Sequence, residues 1–160
     1  MRSLEPEPVE AAPRPEPKPS PRKLAAPPPA KVKAVAERGS DVPLPVHLKI
    51  DTGMHRVGAS ADEAVHLARA VVEHGELHLG GVCTHFAVAD EPDNPYTREQ
   101  LERFDVALAR LYAAGIDPGI VHTANTAGAI AFPESRRDLV RAGIGIYGMA
   151  PAPALASAVP

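Results

Sequence analysis

The sequence predicts an α/β fold in which parallel strands alternate with helices. Four short apolar segments alternate with three segments of helical periodicity, and only short connections separate them. Most of the apolar segments are nearly continuous hydrophobic runs, which is typical of parallel strands covered on both faces. A chain of 160 residues with four such strands is too short to close an eight-stranded barrel. It therefore forms either an open sheet or half of something larger.

Periodicity and turn signals place the individual elements. The predicted strands cover residues 46–51, 79–86, 119–124 and 139–147. Capping boxes at residues 60–63 and 97–100 start the first two helices, which end at Gly75 and Gly115. The third helix is short, because Pro133 stops it.

The first 31 residues are predicted to be a disordered or polyproline-II tail. Of the 19 prolines, 12 fall within residues 1–45, where large apolar side chains are scarce. Such a segment buries too little apolar surface to offset the entropy cost of ordering it. The folded domain is expected at residues 32–151, beginning with the end of a helix at residues 32–38, and residues 152–160 are expected to be disordered.

The composition narrows the possible classes of function. A formal net charge of −3 and a pI near 6.1 give no basic surface for nucleic acid. No apolar run reaches the roughly 18 residues that a membrane span needs, and no signal-peptide core is present, so no membrane contact is expected. The single cysteine, Cys83, excludes an internal disulfide. Together these features predict a cytoplasmic location.

The stretch HLKIDTGMHRVG, residues 47–58, carries an unusual polar pattern. Side chains alternate across a strand, so His47, Lys49 and Asp51 share one face. A lysine and an aspartate on a buried face need partners, because an unpaired buried charge is costly. The alternative is an edge strand whose polar face is simply exposed to solvent.

Polar residues or glycines occur at the end of every predicted strand, where parallel α/β proteins place their working groups. The candidates at these ends are residues 51–56, His85, Asn125, Thr126, Gly143, Gly145 and Tyr147. Thr126 begins a helix, where free N–H groups favour an anion, and the glycines let a ligand approach the backbone. The alternative is that Asn125 is only a helix cap.

Arg141 lies two residues before Gly143 and is predicted to face the same interior as His85. An arginine on so apolar a strand needs a hydrogen-bond acceptor. If Arg141 has no functional role, its acceptor is a structural carboxylate, with Asp138 and Glu134 as the candidates.

Three shorter motifs point to other activities but lack the structural context that those activities need. GIGIYG at residues 143–148 matches the dinucleotide fingerprint, but it lies within a predicted strand and prolines follow it. His74 and His78 have no third zinc ligand, so no metal site is expected. Asp-Thr-Gly at residues 51–53 resembles the catalytic turn of retroviral-type aspartic proteases, which are all-β, whereas helices are predicted here.

Four motifs occur in one order: HLKIDTGMHRVG, THFAVADE, HTANTAGAI and VRAGIGIYGMAP. In this order and at these separations they resemble the alanine racemases over about residues 32–151. The resemblance implies a partial (β/α)8 (TIM) barrel of about four β/α units, with pyridoxal 5'-phosphate as cofactor. It further implies interconversion of L-alanine and D-alanine for cell-wall precursors, and a homodimeric assembly.

The resemblance also assigns roles to residues. The cofactor-binding set is Arg56, His85, Asn125, Thr126, Arg141, Gly143 and Ile144. Arg141 matches an arginine that hydrogen-bonds the pyridine nitrogen, and His85 matches a histidine that supports it. Because arginine cannot give up its proton to the ring, it limits the electron withdrawal by the cofactor, which suits racemisation.

Thr126, Gly143 and Ile144 match phosphate-binding positions. Arg56 matches an arginine near the phenolic oxygen of the cofactor, and Lys49 matches a lysine that is carbamylated in many members of the family. Carbamylation would replace a costly buried cation with an anion that faces Arg56. Met54 is a further supporting residue in this resemblance.

Two elements of the family have no counterpart in the sequence. One is a motif like KADAYGHG, whose lysine forms the Schiff base and acts as a catalytic base, and the other is a catalytic tyrosine of the second domain. We therefore expect no catalytic residue in this chain and little or no racemase activity. The alternatives are a non-catalytic module for pyridoxal phosphate or partner binding, and one half of a split racemase completed in trans.

Overall fold

A computed structural model describes residues 42–159. The strands are β1 (Leu44–Lys49), β2 (Leu77–Cys83) and β3 (Ile120–His122), and the α-helices are α1 (Ala64–Glu73), α2 (Tyr96–Ala113) and α3 (Thr126–Ala131). None of the helices in this range is long and apolar enough to span a membrane. The predicted tail of residues 1–31 and the predicted helix at residues 32–38 lie outside the described residues.

The three strands form one parallel sheet in the order β1-β2-β3, which confirms the predicted α/β class. In this sheet Lys49 lies opposite Cys83, and Cys83 lies opposite His122. Paired residues of neighbouring strands place their side chains on the same face. The last residues of the three strands therefore form one row at the carboxyl edge of the sheet.

The apolar faces of α1 and α2 form the main core together with the sheet. Ala68 of α1 and Phe104 of α2 are fully buried, as are Val82 of β2 and Ile50 directly after β1. These helical residues belong to the apolar stripes that the sequence predicts. The core lies behind the sheet and leaves the carboxyl edge free to carry polar groups.

The two capping boxes have different outcomes. The Glu63 carboxylate accepts from the backbone N–H of Ser60, which is one half of a capping box, but the Ser60 hydroxyl donates to the same carboxylate and α1 begins only at Ala64. The second box is wrong, because α2 begins at Tyr96 with Pro95 as its N-cap. Since proline has a fixed φ near the helical value, it starts the helix early and leaves Thr97 inside the first turn.

The predicted fourth strand, residues 139–147, is wrong. Only an isolated bridge between Asn125 and Arg141 extends the sheet, and Gly143–Tyr147 forms a 3-10 helix. Gly143 and Gly148 have φ values of +46° and +69°, which lie in the left-handed region. Alternating apolar residues favour a strand locally, but left-handed glycines at both ends of this segment turn the chain out of the sheet.

The end of the chain is more ordered than the sequence predicts. Residues 152–160 are expected to be disordered, whereas Pro153–Ala158 forms a 3-10 helix. Leu155 is buried and packs in a second core cluster with Phe86 and Phe132. A single leucine among alanines is a weak sequence signal, because its burial depends on an apolar surface that distant residues create.

Replacing Phe104 by alanine should lower the free energy of unfolding by about 3–5 kcal/mol, because it leaves a cavity in the main core. Val106→Ala on the same helix is the matched control, since Val106 is exposed, and should change stability by about 0.5 kcal/mol or less. Urea unfolding followed by circular dichroism measures both. Equal effects of the two substitutions would contradict the described core.

Candidate functional site

A cavity of about 500 Å³ opens at the carboxyl edge of the sheet. Its walls are His85, Asp90, Asn125, Thr126, Ala127, Arg141, Gly143, Ile144 and Pro151. It thus brings together every predicted cofactor-binding residue except Arg56. The residues meet because the segments after β2 and β3 and the glycine turn all end at the same edge.

The half-buried guanidinium of Arg141 is held at this cavity by neutral acceptors. Nη2 donates to the carbonyl oxygens of Thr84 at 2.8 Å and Thr123 at 2.9 Å. Nη1 contacts Nδ1 of His122 and donates to the carbonyl oxygen of His122 at 3.3 Å. Burial lowers the pKa of Arg141, yet arginine remains protonated at neutral pH.

The alternative explanation of Arg141, a structural ion pair, does not hold. Asp138 accepts a hydrogen bond from the backbone N–H of Val121, and Glu134 lies 3.9 Å from Arg98. Among residues 42–159, no carboxylate forms a salt bridge with Arg141. A partly buried cation without a counter-ion favours a ligand that presents an acceptor or negative charge.

His122, which sequence reasoning missed, makes the closest side-chain contact to Arg141. An arginine can only donate, so Nδ1 of His122 accepts, and a neutral His122 then carries its proton on Nε2. Nε2 lies 2.8 Å from Nδ1 of His47, which must accept that proton. Burial, followed by the charge of Arg141, lowers the pKa of His122 to about 4. The three side chains thus form one directed chain of hydrogen bonds.

His85 has a looser relation to Arg141 than the resemblance implies. Its Nδ1 lies 3.4 Å from Nη2 of Arg141, near the limit of a hydrogen bond. Burial and then the charge of Arg141 lower the pKa of His85. His85 therefore presents a neutral imidazole to the cavity at neutral pH.

Two helix starts provide free amide groups at the cavity. Among the described residues, none accepts from the backbone N–H groups of Ala127 in α3 or of Gly143 and Ile144 in the 3-10 helix, whereas the bridge between Asn125 and Arg141 directs the N–H of Thr126 towards the carbonyl oxygen of Arg141. The Thr126 hydroxyl donates to the carbonyl oxygen of Ala142 and so joins the two starts. We call this group of three amides the amide cup. Such a group is suited to an anion like a phosphate.

The glycine turn fits tightly against Thr126. A Cβ atom on Gly145 would lie 2.8 Å from Cγ2 of Thr126, so only glycine allows this contact. Asn125 does cap α3, because its Oδ1 accepts from the backbone N–H of Gly128 at 2.8 Å. The helix-cap interpretation of Asn125 is thus correct, and the same residue also lines the cavity.

Lys49, Met54 and Arg56 do not line the cavity. Lys49 ends β1, and burial followed by the charge of Arg56 lowers its pKa. Arg56 is exposed and Met54 is half-buried, both in the loop after β1. The charge of Arg56 thus acts on Lys49, and the charges of both residues contribute to the lowered pKa of His85.

Asp51 has a structural role in the same loop. Its Oδ1 accepts from the backbone N–H groups of Gly53 and His55, each at 3.0 Å, as in an Asx turn. This turn lies between a parallel strand and a helix, which differs from the all-β setting of an aspartic protease. The Asp-Thr-Gly motif here shapes a loop.

These features define a class of protein: a parallel α/β domain with a cationic, amide-lined ligand site at the carboxyl ends of its strands. The family model described as "Alanine racemase, N-terminal domain" matches residues 27–151. The chain therefore belongs to the alanine racemase family, which depends on pyridoxal 5'-phosphate.

Individual relatives agree with this assignment. Alanine racemase of Symbiobacterium thermophilum is 51% identical over 111 residues, which are 69% of this chain and 29% of the relative. Alanine racemase 2 of Bacillus subtilis is 43% identical over 109 residues, 68% of this chain and 28% of the relative. The chain thus spans about a third of the length of the curated relatives it matches.

Solved structures of alanine racemases have a fold similar to that of this chain. Alanine racemase from Streptomyces lavendulae matches with a TM-score of 0.72 and 37% identity, over 79% of this chain and 34% of that chain. The Bacillus anthracis enzyme with bound L-Ala-P matches with a TM-score of 0.73 and 32% identity, over 82% and 35%. The described fold is therefore part of the TIM-barrel domain of these enzymes.

The stability of the chain should fall as the pH is lowered from about 6.5 to 4. An unfolded His122 takes up a proton near its ordinary pKa of 6.5, whereas the folded one does so only near 4. Between these two pH values the unfolded state binds more protons than the folded state. The contribution of neutral His122 to stability is therefore complete above pH 6.5 and is lost as the pH falls to about 4. Thermal unfolding at a series of pH values measures the effect.

His122→Gln should flatten this pH dependence, because an amide does not titrate. His66→Gln is the control, since His66 is exposed on α1. The control should keep the pH dependence of the original chain. An unchanged slope in His122→Gln would show that His122 is not the group responsible.

Proposed function

We propose that this chain is the part of an alanine racemase barrel that holds pyridoxal 5'-phosphate. The observation that carries the proposal is the pairing, in one cavity of about 500 Å³, of an uncompensated guanidinium with the amide cup. The cofactor has a ring nitrogen that accepts a hydrogen bond and a phosphate that accepts several. Four of the five N–H groups of Arg141 have acceptors in the protein, so the N–H on Nε remains for the ring nitrogen, and the amide cup remains for the phosphate.

Arg141 is the residue proposed to donate to the pyridine nitrogen. Three neutral carbonyls and a neutral imidazole contact its guanidinium, so no negative charge among the described residues offsets its positive charge. The phosphate is proposed to bind at Thr126, Gly143 and Ile144, where the N–H groups of Gly143 and Ile144 belong to the amide cup. When bound, the cofactor withdraws electrons from the α-carbon of an amino acid, and an arginine that keeps its proton limits that withdrawal.

Alanine is the proposed substrate, and interconversion of its L and D forms for cell-wall precursors is the proposed activity of the whole enzyme. The titles of two solved relatives support an amino-acid-sized ligand, since one has bound L-Ala-P and another is a complex with cycloserine. We propose little or no racemase activity for the chain alone, because no residue of 42–159 matches a catalytic base of the family. A cytoplasmic location and a homodimeric assembly belong to the same proposal.

A second candidate, one half of a split racemase, follows from the surface beside the cavity. Ile146, Tyr147 and Met149 are 75%, 79% and 52% exposed, directly after the cavity residues Gly143 and Ile144. The side chains of a barrel segment whose neighbouring strands are supplied by another chain would be exposed in this way. Gain of racemase activity on mixing with the remaining segment of a relative would support this candidate.

Arg141→Gln should weaken binding of pyridoxal phosphate to the full chain by about ten-fold or more, since a charge-assisted hydrogen bond contributes about 1.5–3 kcal/mol. Arg110→Gln is the matched control, because Arg110 forms an exposed ion pair with Asp62 at 2.7 Å. Fluorescence titration measures both affinities. Inorganic phosphate should compete in every variant, because the amide cup stays intact.

Borohydride reduction of the loaded chain followed by peptide mapping adds a second readout. A cofactor bonded to one specific lysine would contradict the expectation that this chain lacks its own anchor. Equal affinities of Arg141→Gln and Arg110→Gln would contradict the proposed role of Arg141.

Lys49 should react with carbon dioxide to form a carbamate. The neutral amine adds to the carbon of CO₂ and releases one proton, and the lowered pKa of Lys49 makes that neutral form more available. We expect a carbonyl signal in the ¹³C NMR spectrum after addition of ¹³C-bicarbonate. Lys49→Arg keeps a positive charge and should lose the signal, so a signal that persists in this variant would assign the carbamate elsewhere.

A further inference from the structure

Helix α2 contains a fully buried polar side chain, Gln100, whose amide makes three hydrogen bonds. Oε1 accepts from the backbone N–H of Ala87 at 2.8 Å. Nε2 donates to Oγ1 of Thr52 at 3.1 Å and to the carbonyl oxygen of His85 at 3.2 Å. The partners fix the amide orientation, because an N–H cannot accept and a carbonyl cannot donate.

The partners of Gln100 belong to two segments that carry predicted site residues. Thr52 lies in the loop after β1, which also carries Met54 and Arg56, and its hydroxyl lies 2.8 Å from that of Thr84. His85 and Ala87 belong to the segment after β2. Gln100 therefore bridges these two neighbouring segments from behind the sheet edge.

The segment after β2 is held from both sides. On the cavity side, the carbonyl oxygen of Thr84 and Nδ1 of His85 face Nη2 of Arg141, at 2.8 and 3.4 Å. On the helix side, the carbonyl oxygen of His85 and the N–H of Ala87 face Gln100. The carbonyl oxygen of Thr84, which accepts from Arg141, and that of His85, which accepts from Gln100, thus belong to consecutive residues.

The same helix fixes the loop after β1 at two further points. Arg103 donates from Nη1 to the carbonyl oxygen of Thr52 at 3.0 Å, and the Tyr96 hydroxyl donates to that of Gly53 at 3.1 Å. A Cβ atom on Gly53 would lie 2.3 Å from the Tyr96 hydroxyl, so the contact is tight. The N-terminal half of α2 therefore holds the loop after β1 by hydrogen bonds, and Gln100 is the buried residue that contributes to them.

We propose that Gln100 is a positioning residue for the cofactor site, which couples the His85 segment to the loop after β1 and so fixes the acceptors that hold Arg141. This inference rests on the proposed function. Glutamine suits the position because two donors and one acceptor are required at the same distance from the helix. Glutamate loses both donors, and methionine keeps the length but loses all three hydrogen bonds.

The main test is Gln100→Met in the full 160-residue chain, assayed for binding of pyridoxal phosphate under conditions in which the chain is folded. We expect an affinity about ten-fold lower, because a site whose supporting hydrogen bonds are lost is less preorganised. Two variants of the same helix serve as controls. Thr97→Val removes a buried hydroxyl that has no partner among the described residues, and Phe104→Leu loosens the core without touching the site.

A readout without the cofactor separates positioning from general stability. The pKa of His85, followed by NMR of the free chain, lies below its usual value because of burial and then the charges of Arg141, Lys49 and Arg56. Gln100→Met should move it up towards the usual value as water reaches the loosened segment. Phe104→Leu should leave it unchanged, even if it lowers the thermal stability as much as Gln100→Met does.

If Gln100→Met does not fold, Thr52→Val tests the bridge from its other end and should produce a smaller change in the same direction. The inference is wrong if both variants bind pyridoxal phosphate like the original chain and leave the pKa of His85 in place. Failure of the original chain to bind pyridoxal phosphate would instead overturn the proposed function. The NMR measurement would still decide whether Gln100 positions His85.

Discussion

The arrangement of the site depends on a positive charge that no carboxylate of residues 42–159 neutralises. Arg141 is half-buried, and its neighbours in this range are the carbonyl oxygens of Thr84, Thr123 and His122 and the imidazoles of His122 and His85. Carbonyl dipoles make a buried guanidinium tolerable without cancelling its charge. The remaining attraction is available to a ligand. This constraint explains why β2, β3 and the glycine turn must end at one edge of the sheet.

Two histidines extend the hydrogen-bond network of Arg141 without adding a charge beside it. His122 can accept from Arg141 only while its Nδ1 is unprotonated, and its low pKa keeps it in that state at neutral pH. His47 then has to accept from His122. The strand β1 lies at the edge of the sheet with His47 exposed, as the alternative interpretation of its polar face expects. His47 nevertheless belongs to the same hydrogen-bond network as Arg141.

Much of this architecture could be predicted from the sequence. Helical periodicity and apolar runs place α1, α2 and the three strands, and the rule that parallel strands end at one edge brings His85 and Thr126 together. Arg141 and Gly143 reach the same edge through an isolated bridge and a 3-10 helix, which the sequence does not predict. The roles of His122 and Gln100 could not be predicted, because their partners lie 19 and 48 residues away in sequence. A histidine at the end of a strand and a glutamine in a helix look ordinary until the fold is known.

The errors have physical causes as well. The predicted strand at residues 139–147 has the right alternation of side chains, but backbone conformation at Gly143 and Gly148 decides the outcome. The second capping box has the right residue types, but Pro95 starts the helix first. In the first case the conformational freedom of glycine overrides the alternating pattern. In the second case the fixed φ of proline sets the start of the helix.

Donation from Arg141 to the ring nitrogen of pyridoxal phosphate can be observed by ¹⁵N NMR. The cofactor would be labelled at its pyridine nitrogen and added to the full chain. We expect the resonance of an unprotonated nitrogen that accepts a hydrogen bond, and we expect this resonance to shift in Arg141→Gln. A pyridinium resonance, or one identical to that of the free cofactor under conditions of saturation, would contradict it.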